Sequence, residues 1–392
     1  MADLLTATVR APARPRVEVP ARGLVDLADV PLALWQDLAE RALAPNAYYH
    51  PAWARAVAAH ARGRTGAKAL LAWSADGTRL TGFLPVVPAA RVLHVPLPLL
   101  IAWQAYGRLA TPLIDREAVE EAVAGLLEAA AVGGARALFV PDMAASAELA
   151  GVHRALARRG MRVLRRHERA RLDASGEAEP LLRQALGAKK LKDLRRQRQR
   201  LADGGALAFE VATTPPEVAA ALERFLVLEA SGWKGARGTA LAQDAGDAAF
   251  IRSAAPALAA AGCCRIVTLA RAGVAVAAGI MLTHGTRAFF FKIAYDQALA
   301  KMSPGVQLTV DFTRHLCADP AIRDADSTAD ANHPMIDHIW RARLPLADVL
   351  VPTRGDDALT SPLEWLIVSH HIARTGARAV VQQIRLLREN HR

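Results

Sequence analysis

The chain has 392 residues, 52% of them apolar, and a formal net charge of +11, a length that suggests two domains with real cores. Its three cysteines, two of them adjacent at Cys263 and Cys264, exclude a disulfide framework and any familiar zinc spacing and fit a reducing cytoplasm. The most apolar run, Val92 to Ala105, carries Pro96 and Pro98 and falls short of the roughly 20 residues a bilayer span needs, so a cytoplasmic protein without a transmembrane segment is expected.

Residues 1–22 scatter Arg and Pro among small residues without a continuous apolar core. They read as a disordered lead-in, neither signal peptide nor anchor. Pro31 to Ala42 and His50 to Ala61 place Trp35, Leu38, Trp53 and Val57 at helical spacing, which predicts two amphipathic helices. Ser74-Ala-Asp-Gly77 between two apolar runs, 67–73 and 78–87, predicts a hairpin. A helix over 116–131, a strand over 135–140, a helix over 144–159 and one or two strands over 161–172 complete a mixed α/β layer spanning residues 23–175.

Pro180 to Asp203 reads as a long basic helix joining the two halves, with Leu186, Leu191, Leu194 and Leu201 as a thin apolar stripe. Between Arg158 and Arg200, fifteen Lys or Arg stand against five acids. Nearly all the excess charge lies there. Such a field attracts phosphate-rich partners, whether nucleic acid, coenzyme A or anionic lipid; a solvated helix face in an arginine-rich sequence is the plainer account of it.

The second half, 205–352, repeats the plan. A strand over 206–213 and a helix over 216–230 lead to the loop Ser231-Gly-Trp-Lys-Gly-Ala-Arg-Gly-Thr239. A helix over 244–261 follows, then strands over 264–270, 274–283 and 287–295, with Ala272-Gly273 and His284-Gly285 as turns. Next come a helix from Ser303 to about 316, a strand over 322–326, a short helix over 333–341 and a strand over 344–351. The matching order of the halves suggests a fold duplication. The tail, 361–392, reads as a helix over 362–388 that docks on the body or mediates a homodimer.

Phe289-Phe-Phe-Lys-Ile-Ala-Tyr-Asp296 is the stretch around which these elements are organised. Aromatic and branched residues favour a half-buried strand, and Ser303 as N-cap with Pro304 in the first turn starts a helix at its end. The free N–H groups of such a helix start attract anions, phosphates above all.

Leu228-Glu-Ala-Ser-Gly-Trp-Lys-Gly-Ala-Arg-Gly-Thr239, Lys292-Ile-Ala-Tyr-Asp296 with Ser303-Pro-Gly305, and the run from Ala325-Asp-Ser to Trp340 resemble the GNAT-type acyltransferases, in the branch of CelD-like and FemAB-like proteins. The resemblance is clearest over residues 180–350. It implies two GNAT-like lobes, each an α/β (α+β mixed sheet) unit with a central splayed sheet, in which a pantetheine arm lies between two strands and its pyrophosphate rests on a helix N-terminus. By that resemblance the strand ending at Tyr295 and the helix starting at Ser303 are those parts, so Ser303, Pro304, Gly305, Val306 and Lys292 are the candidate residues for an acyl-CoA, acetyl-CoA first. One departure is evident. Met302-Ser-Pro-Gly-Val-Gln307 stands where the family carries a Gln/Arg-x-x-Gly-x-Gly/Ala phosphate loop, and Pro304 has no N–H to offer.

Acyl transfer to an amine needs a base, a positioned nucleophile and a dipole for the developing oxyanion. Asp326, at the end of a predicted sheet strand, is the first candidate base, with turn capping as its other role. Glu229 is the second, or else it caps the loop's N–H groups. Tyr295 is placed to protonate the leaving group or to serve as core. Trp233, Lys234 and Gly235 in the Gly-flanked loop, with Asp296 and His333, are the candidate substrate contacts. His333 and Asp337 share ligand spacing on a helix face, but Pro334 marks a helix start and no second cluster is evident, so no metal is expected.

The expected activity is therefore an N-acyltransferase moving an acyl group from acyl-CoA to an amine such as an amino sugar or cell-envelope precursor. The rivals are FemAB-like transfer from aminoacyl-tRNA, with the basic 158–200 region on the RNA backbone, and a non-catalytic accessory protein of polysaccharide biosynthesis.

Overall fold

A computed structural model describes residues 23–355 and 357–373; the lead-in 1–22 and the tail from 374 onward lie outside the described residues. The strands are Leu24–Asp26 (β1), Lys68–Trp73 (β2), Leu80–Pro88 (β3), Leu99–Ala102 (β4), Leu113–Ile114 (β5), Ala137–Ala144 (β6) and Arg162–Asp173 (β7), then Leu207–Ala212 (β8), Cys264–Arg271 (β9), Val274–His284 (β10), Arg287–Tyr295 (β11), Asp324–Asp326 (β12) and Ala342–Pro352 (β13). They form one mixed sheet in the order β1-β2-β3-β4-β6-β13-β7-β12-β11-β10-β9-β8, with β5 beside β3.

The order is symmetric about its centre. β1-β2-β3-β4 is an antiparallel run followed by a parallel β4/β6 pair; β8-β9-β10-β11 is the same run followed by a parallel β11/β12 pair. Each half is then closed by the last strand of the other, because β13 pairs with β6 and β7 pairs with β12. The exchanged strands β7 and β13 pair antiparallel with each other along nine residues of register. The two halves therefore share a single sheet and neither is a contiguous run of chain.

Local chemistry explains the elements. β9 and β10 meet at Ala272 (φ 48°) and Gly273 (φ 79°), two successive left-handed residues of the kind a tight hairpin with right-handed strand twist requires. β11 reads Arg-Ala-Phe-Phe-Phe-Lys-Ile-Ala-Tyr, and strand alternation sends neighbouring phenylalanines to opposite faces. Phe289 enters a core shared with Trp35, Trp53, Phe83 and Phe250, whereas Phe290 enters a second core with Phe312, Trp340 and Leu194. Burying a Phe of this kind contributes about 1.5–3 kcal/mol, so the strand is clamped from both sides. The helix Pro304–Ala318 covers the second face, and Leu194 and Leu201 of the helix Ala178–Ala202 are buried in the same core.

Several expectations change. The segment after Met161 is one long central strand, β7. The basic helix is broken at Gly187 (φ 71°, ψ 163°) into two helical stretches. The Trp233 loop contains a helical turn, Trp233–Ala236. Of the predicted tail helix only the stretch to 373 is described; it is helical over 360–373, with Leu363 and Ile367 buried. No helix among the described residues is long and apolar enough to cross a membrane.

The basic excess is also less available than a charge count implies. Arg169 pairs with Asp326, Arg165 with Asp348, Arg162 with Glu364, Arg158 with Glu120 and Arg198 with Asp311, all acids outside the 158–200 window. Exposed basic residues remain along the connecting helix at Arg183, Lys189, Lys190, Lys192, Arg195 and Arg200, with Arg159 and Arg166 outside it.

Candidate active site

β11 pairs with β12 only through Arg287–Asp324, Ala288–Ala325 and Phe289–Asp326. Past Phe289 the two strands part. A cavity of about 480 Å³ opens there, walled by Phe290–Tyr295 on one side, by Ser327, Thr328 and Ala329 on the other, and by Glu229, Trp233, Lys234, His333 and Met335. The splay is held open chemically: the Thr328 hydroxyl donates to the Phe290 carbonyl (2.6 Å) and Lys234 Nζ donates to the Ile293 carbonyl (2.9 Å). Side chains thus take β11 carbonyls that a neighbouring strand would otherwise bond.

Six of the sequence-predicted residues meet on this wall: Glu229, Trp233, Lys234, Lys292, Tyr295 and His333. Glu229, 2% exposed, accepts Lys234 Nζ at 3.2 Å and Lys292 Nζ at 3.1 Å on Oε1, and the amide of Leu241 at 2.9 Å on Oε2. Burial opposes its ionisation, but the ammonium groups of Lys292 and Lys234 outweigh that and hold the carboxyl below the usual carboxylate range. Burial, helped by the Lys292 charge, in turn pushes the Lys234 ammonium below its ordinary value against the pull of Glu229. The three side chains carry a net single positive charge into an otherwise largely apolar cavity. Among the described residues Glu229 is the only carboxylate on the wall, and it also caps the loop at Leu241, so both of its expected roles are geometrically available.

Tyr295 and Trp233 line the same cavity, and Trp233, 42% exposed, stacks under Arg237 (4.9 Å). His333 lines it too. Its Nδ1 accepts the amides of Met335 (3.3 Å) and Ile336 (3.4 Å), which fixes it as a cap on the short helix Ile336–Ile339. Burial lowers its pKa, and a neutral imidazole that accepts at Nδ1 carries its proton on Nε2. It is a donor in this state, and Asp337 lies 3.9 Å from Arg343.

Other candidates are placed elsewhere. Asp326 is fully buried in a bidentate pair with Arg169, 2.7 Å at Nε, and also accepts the Thr328 amide at 2.9 Å. With both oxygens taken and no share of the cavity wall, it sits as an anchor at the β7–β12 junction, away from the cavity in which a base is expected. Asp296 accepts the Ala298 amide (2.9 Å) as the cap of a 3-10 turn over Gln297–Met302, so it is a turn residue rather than a substrate contact. Gly235 is likewise corrected: a Cβ there would stand 1.7 Å from the Ala230 carbonyl oxygen, and its glycine is needed for that close approach.

Ser303, Pro304, Gly305 and Val306 do not line the cavity but sit behind Tyr295, since a Cβ on Gly305 would lie 3.2 Å from Tyr295 Cδ1. Ser303 is left-handed (φ 51°) and makes no side-chain cap, contrary to the expectation of a good N-cap. The first amides of this helix are therefore left without an intrahelical or capping acceptor.

Sequence reasoning missed three participants. Arg169 sits in a run of eight Arg, Lys or His where nothing singles it out; Thr328 and Ser327 follow Asp326 in a stretch of ordinary turn residues. The aromatic cluster behind the wall was also illegible. Tyr48, Trp53 and Tyr106 of the first half pack edge-on against Phe289, Phe291 and Phe250 of the second, so the back of the cavity is built from both halves.

Residues 188–333 match the family described as acetyltransferase (GNAT) domain. No curated protein matches the chain. Among solved structures, FemX is similar over 86% of this chain and 98% of its own at 13% identity, with a TM-score of 0.57. The C-terminal DUF2156 domain of an Agrobacterium fabrum protein named as a lysylphosphatidylglycerol synthetase is similar over 86% of this chain and 95% of its own, at 17% identity and a TM-score of 0.53. A conserved protein of unknown function from Bacteroides thetaiotaomicron is similar over 82% and 98%, at 12% identity and a TM-score of 0.50. At such identities these likenesses speak to the fold. The matched segment holds the part of the connecting helix past Gly187, the Glu229–Lys234–Lys292 cluster and the splayed β11/β12 pair, and over these residues the chain is similar to the GNAT acetyltransferase domain.

Proposed function

We propose that the chain is an N-acyltransferase that uses acyl-CoA, acetyl-CoA first, to acylate the amine of a small acceptor such as an amino sugar or cell-envelope precursor, and that the β11/β12 splay is where the transfer occurs. The observation that carries this reading is the three-residue pairing of β11 with β12, which leaves Phe290–Tyr295 without a strand partner on that side. Its Phe290 and Ile293 carbonyls are held by the Thr328 and Lys234 side chains, beside a cavity that suits an extended amide-bearing ligand. The uncapped start of the helix Pro304–Ala318 lies at the end of the same strand and suits a pyrophosphate, although Pro304 supplies one amide fewer than a glycine would.

In the transfer, the amine nitrogen attacks the thioester carbonyl. A C–N bond forms, the C–S bond breaks, the amine loses a proton and the leaving sulfur gains one. Glu229 is assigned the proton from the amine, and the Tyr295 hydroxyl donates to the sulfur. At rest the two lysines make Glu229 a weak base. As negative charge grows on the carbonyl oxygen, Lys234 and Lys292 are drawn toward it, stabilising the oxyanion and raising the basicity of Glu229 in the same movement. His333, donating from Nε2, is assigned to the acceptor, and Trp233 to the rim that excludes water.

A second reading, transfer from aminoacyl-tRNA, is favoured by one feature: the exposed basic residues along the connecting helix, which packs against the turn Gln297–Met302 and the helix Pro304–Ala318. Thermal-shift measurements separate the two. A ligand that binds only the native state at about 100 times its Kd stabilises by about 2.7 kcal/mol. Coenzyme A and acetyl-CoA are expected to raise the unfolding temperature and, with an amine, to release free thiol; no shift with any acyl-CoA beside a clear shift with aminoacyl-tRNA overturns the first reading in favour of the second.

A further inference from the structure

The symmetry of the sheet gives the first half a splay of its own. β4 pairs parallel with β6 only through Leu99–Ala137, Leu100–Leu138 and Ile101–Phe139, the counterpart of the three pairs that join β11 to β12. Beyond them the strands part around a second cavity of about 1000 Å³, walled by Ile101, Trp103, Phe139 and Leu164. That is the upper end of the range small-molecule sites occupy.

Its polar groups divide into two sets. Asp142, Asp330 and Asp348 are on the wall, but each is already matched: Arg108 pairs with Asp330, and Arg165 lies 2.8 Å from Asp348 and 3.7 Å from Asp142. His167 (2.7 Å) and Gln104 (2.7 Å) complete the partners of Asp142. Three carboxylates against two guanidiniums leave this set with one negative charge, and every acid in it has a partner. Arg64 and Arg91 are different. Both are half-buried at the edge of the cavity, and their hydrogen bonds go only to carbonyls, Gln104 at 2.8 Å and Gly63 at 2.9 Å, with no carboxylate within ion-pair distance among the described residues. Burial lowers the Arg64 pKa, the nearby Tyr106 and Asp247 oppose that, and the Arg91 charge adds to it. Two neighbouring guanidiniums, neither in an ion pair among the described residues, form a fork suited to a carboxylate or phosphate. Deeper in, Trp103 is 5% exposed and its Nε1–H has no partner, a buried donor facing the cost of an unmade hydrogen bond.

We infer that this cavity is a second ligand site, separate from the acyl-transfer site, for a small molecule with an apolar body and one terminal anionic group. The body lies along Ile101, Phe139 and Leu164 beside the Trp103 Nε1–H, and the anion is held by Arg64 and Arg91. A lipid headgroup and a phosphorylated or carboxylated metabolite share this chemistry.

Calorimetric titration of the full chain tests it with dodecyl phosphate below its micellar range, dodecanol, inorganic phosphate, and vesicles containing phosphatidylglycerol. One-to-one binding of dodecyl phosphate is expected, at least tenfold tighter than dodecanol or inorganic phosphate; vesicle binding that competes with it assigns the ligand to a lipid, and its absence to a free metabolite. Arg91→Gln, at a half-buried position, is expected to weaken binding at least tenfold and Arg91→Lys to restore most of it. Trp103→Phe should abolish the fluorescence change on binding. Equal affinity for dodecanol, equal affinity for inorganic phosphate, or unchanged affinity in Arg91→Gln each overturns the assignment. The result is independent of whether coenzyme A binds the second half.

Discussion

Replacing Asp326 by Asn decides between an anchor and a base. In the native protein its carboxylate accepts Arg169 at Nε (2.7 Å) and Nη2 and the Thr328 amide (2.9 Å), with both partners of the ion pair buried. Asparagine keeps the volume and one acceptor oxygen but presents an NH₂ group to the guanidinium and leaves its charge uncompensated; breaking a buried pair by removing one partner costs about 3–5 kcal/mol. Arg169 retains only the Arg108 carbonyl on Nη1. For about 350 cooperatively folded residues the unfolding entropy is about 0.7 kcal/mol/K, so the loss corresponds to about 4–7 °C in Tm. Scanning calorimetry of the two proteins at pH 7.5 measures it directly. An Asp326→Asn protein that unfolds within 1 °C of the native one and has lost only turnover would refute the anchor reading and return Asp326 to the chemistry.

The cavity cluster makes its own prediction: Glu229→Gln removes the carboxylate that holds Lys234 and Lys292 and is expected to lower kcat at least a hundredfold, the usual scale of a lost acid–base group, whereas Tyr295→Phe should cost less; thiol release with acetyl-CoA and amine reports both, and near-native turnover in Glu229→Gln rules out its role. A pH series tests the contact between the halves. His284 accepts the Asn46 amide at Nδ1 (2.8 Å) and meets the Ala39 carbonyl at Nε2 (2.7 Å), and burial lowers its pKa; burial also lowers that of His50, to about 4. The unfolded chain takes up these protons near pH 6.5 and the native chain does not, so this stability is whole above pH 6.5 and is lost as the pH falls toward 4, at up to about 1.4 kcal/mol per pH unit for each histidine. Urea midpoints that stay level from pH 7 to 4.5 contradict it. Gly235→Ala drives a Cβ to 1.7 Å from the Ala230 carbonyl and is expected to displace the Trp233 turn, weakening ligand binding more than it lowers Tm; a variant that binds as the native protein does shows that the turn is not part of the site.

Much of this fold is legible in the sequence because its elements carry strong local signals. Pro215 and Pro304 fall in the first turn of their helices, the Ala272-Gly273 turn fixes the β9/β10 hairpin, and the triple Phe of β11 announces a strand buried on both faces. The cluster of Glu229, Lys234 and Lys292 was reachable for a different reason: Lys292 interrupts an apolar strand and Lys234 sits between glycines, and isolated charges in such settings need a partner. Asp326 failed on the same logic applied one step short. Its placement at a strand end was right, but its partner Arg169 lies 157 residues away, on a strand that local sequence assigns to the other half.

That strand exchange also explains why the first half's cavity cannot be read from residues alone. The wall of the first splay is made by β4 and β6, yet the sheet that supports them is completed by β13, from the far end of the chain, and Arg165, which neutralises Asp142 and Asp348, comes from β7. Swapping the last strands means that neither splay can form from its own half. Substitutions in β13 should therefore disturb the first cavity and substitutions in β7 the second, and the Arg169–Asp326 pair, spanning β7 and β12, is where that dependence is strongest.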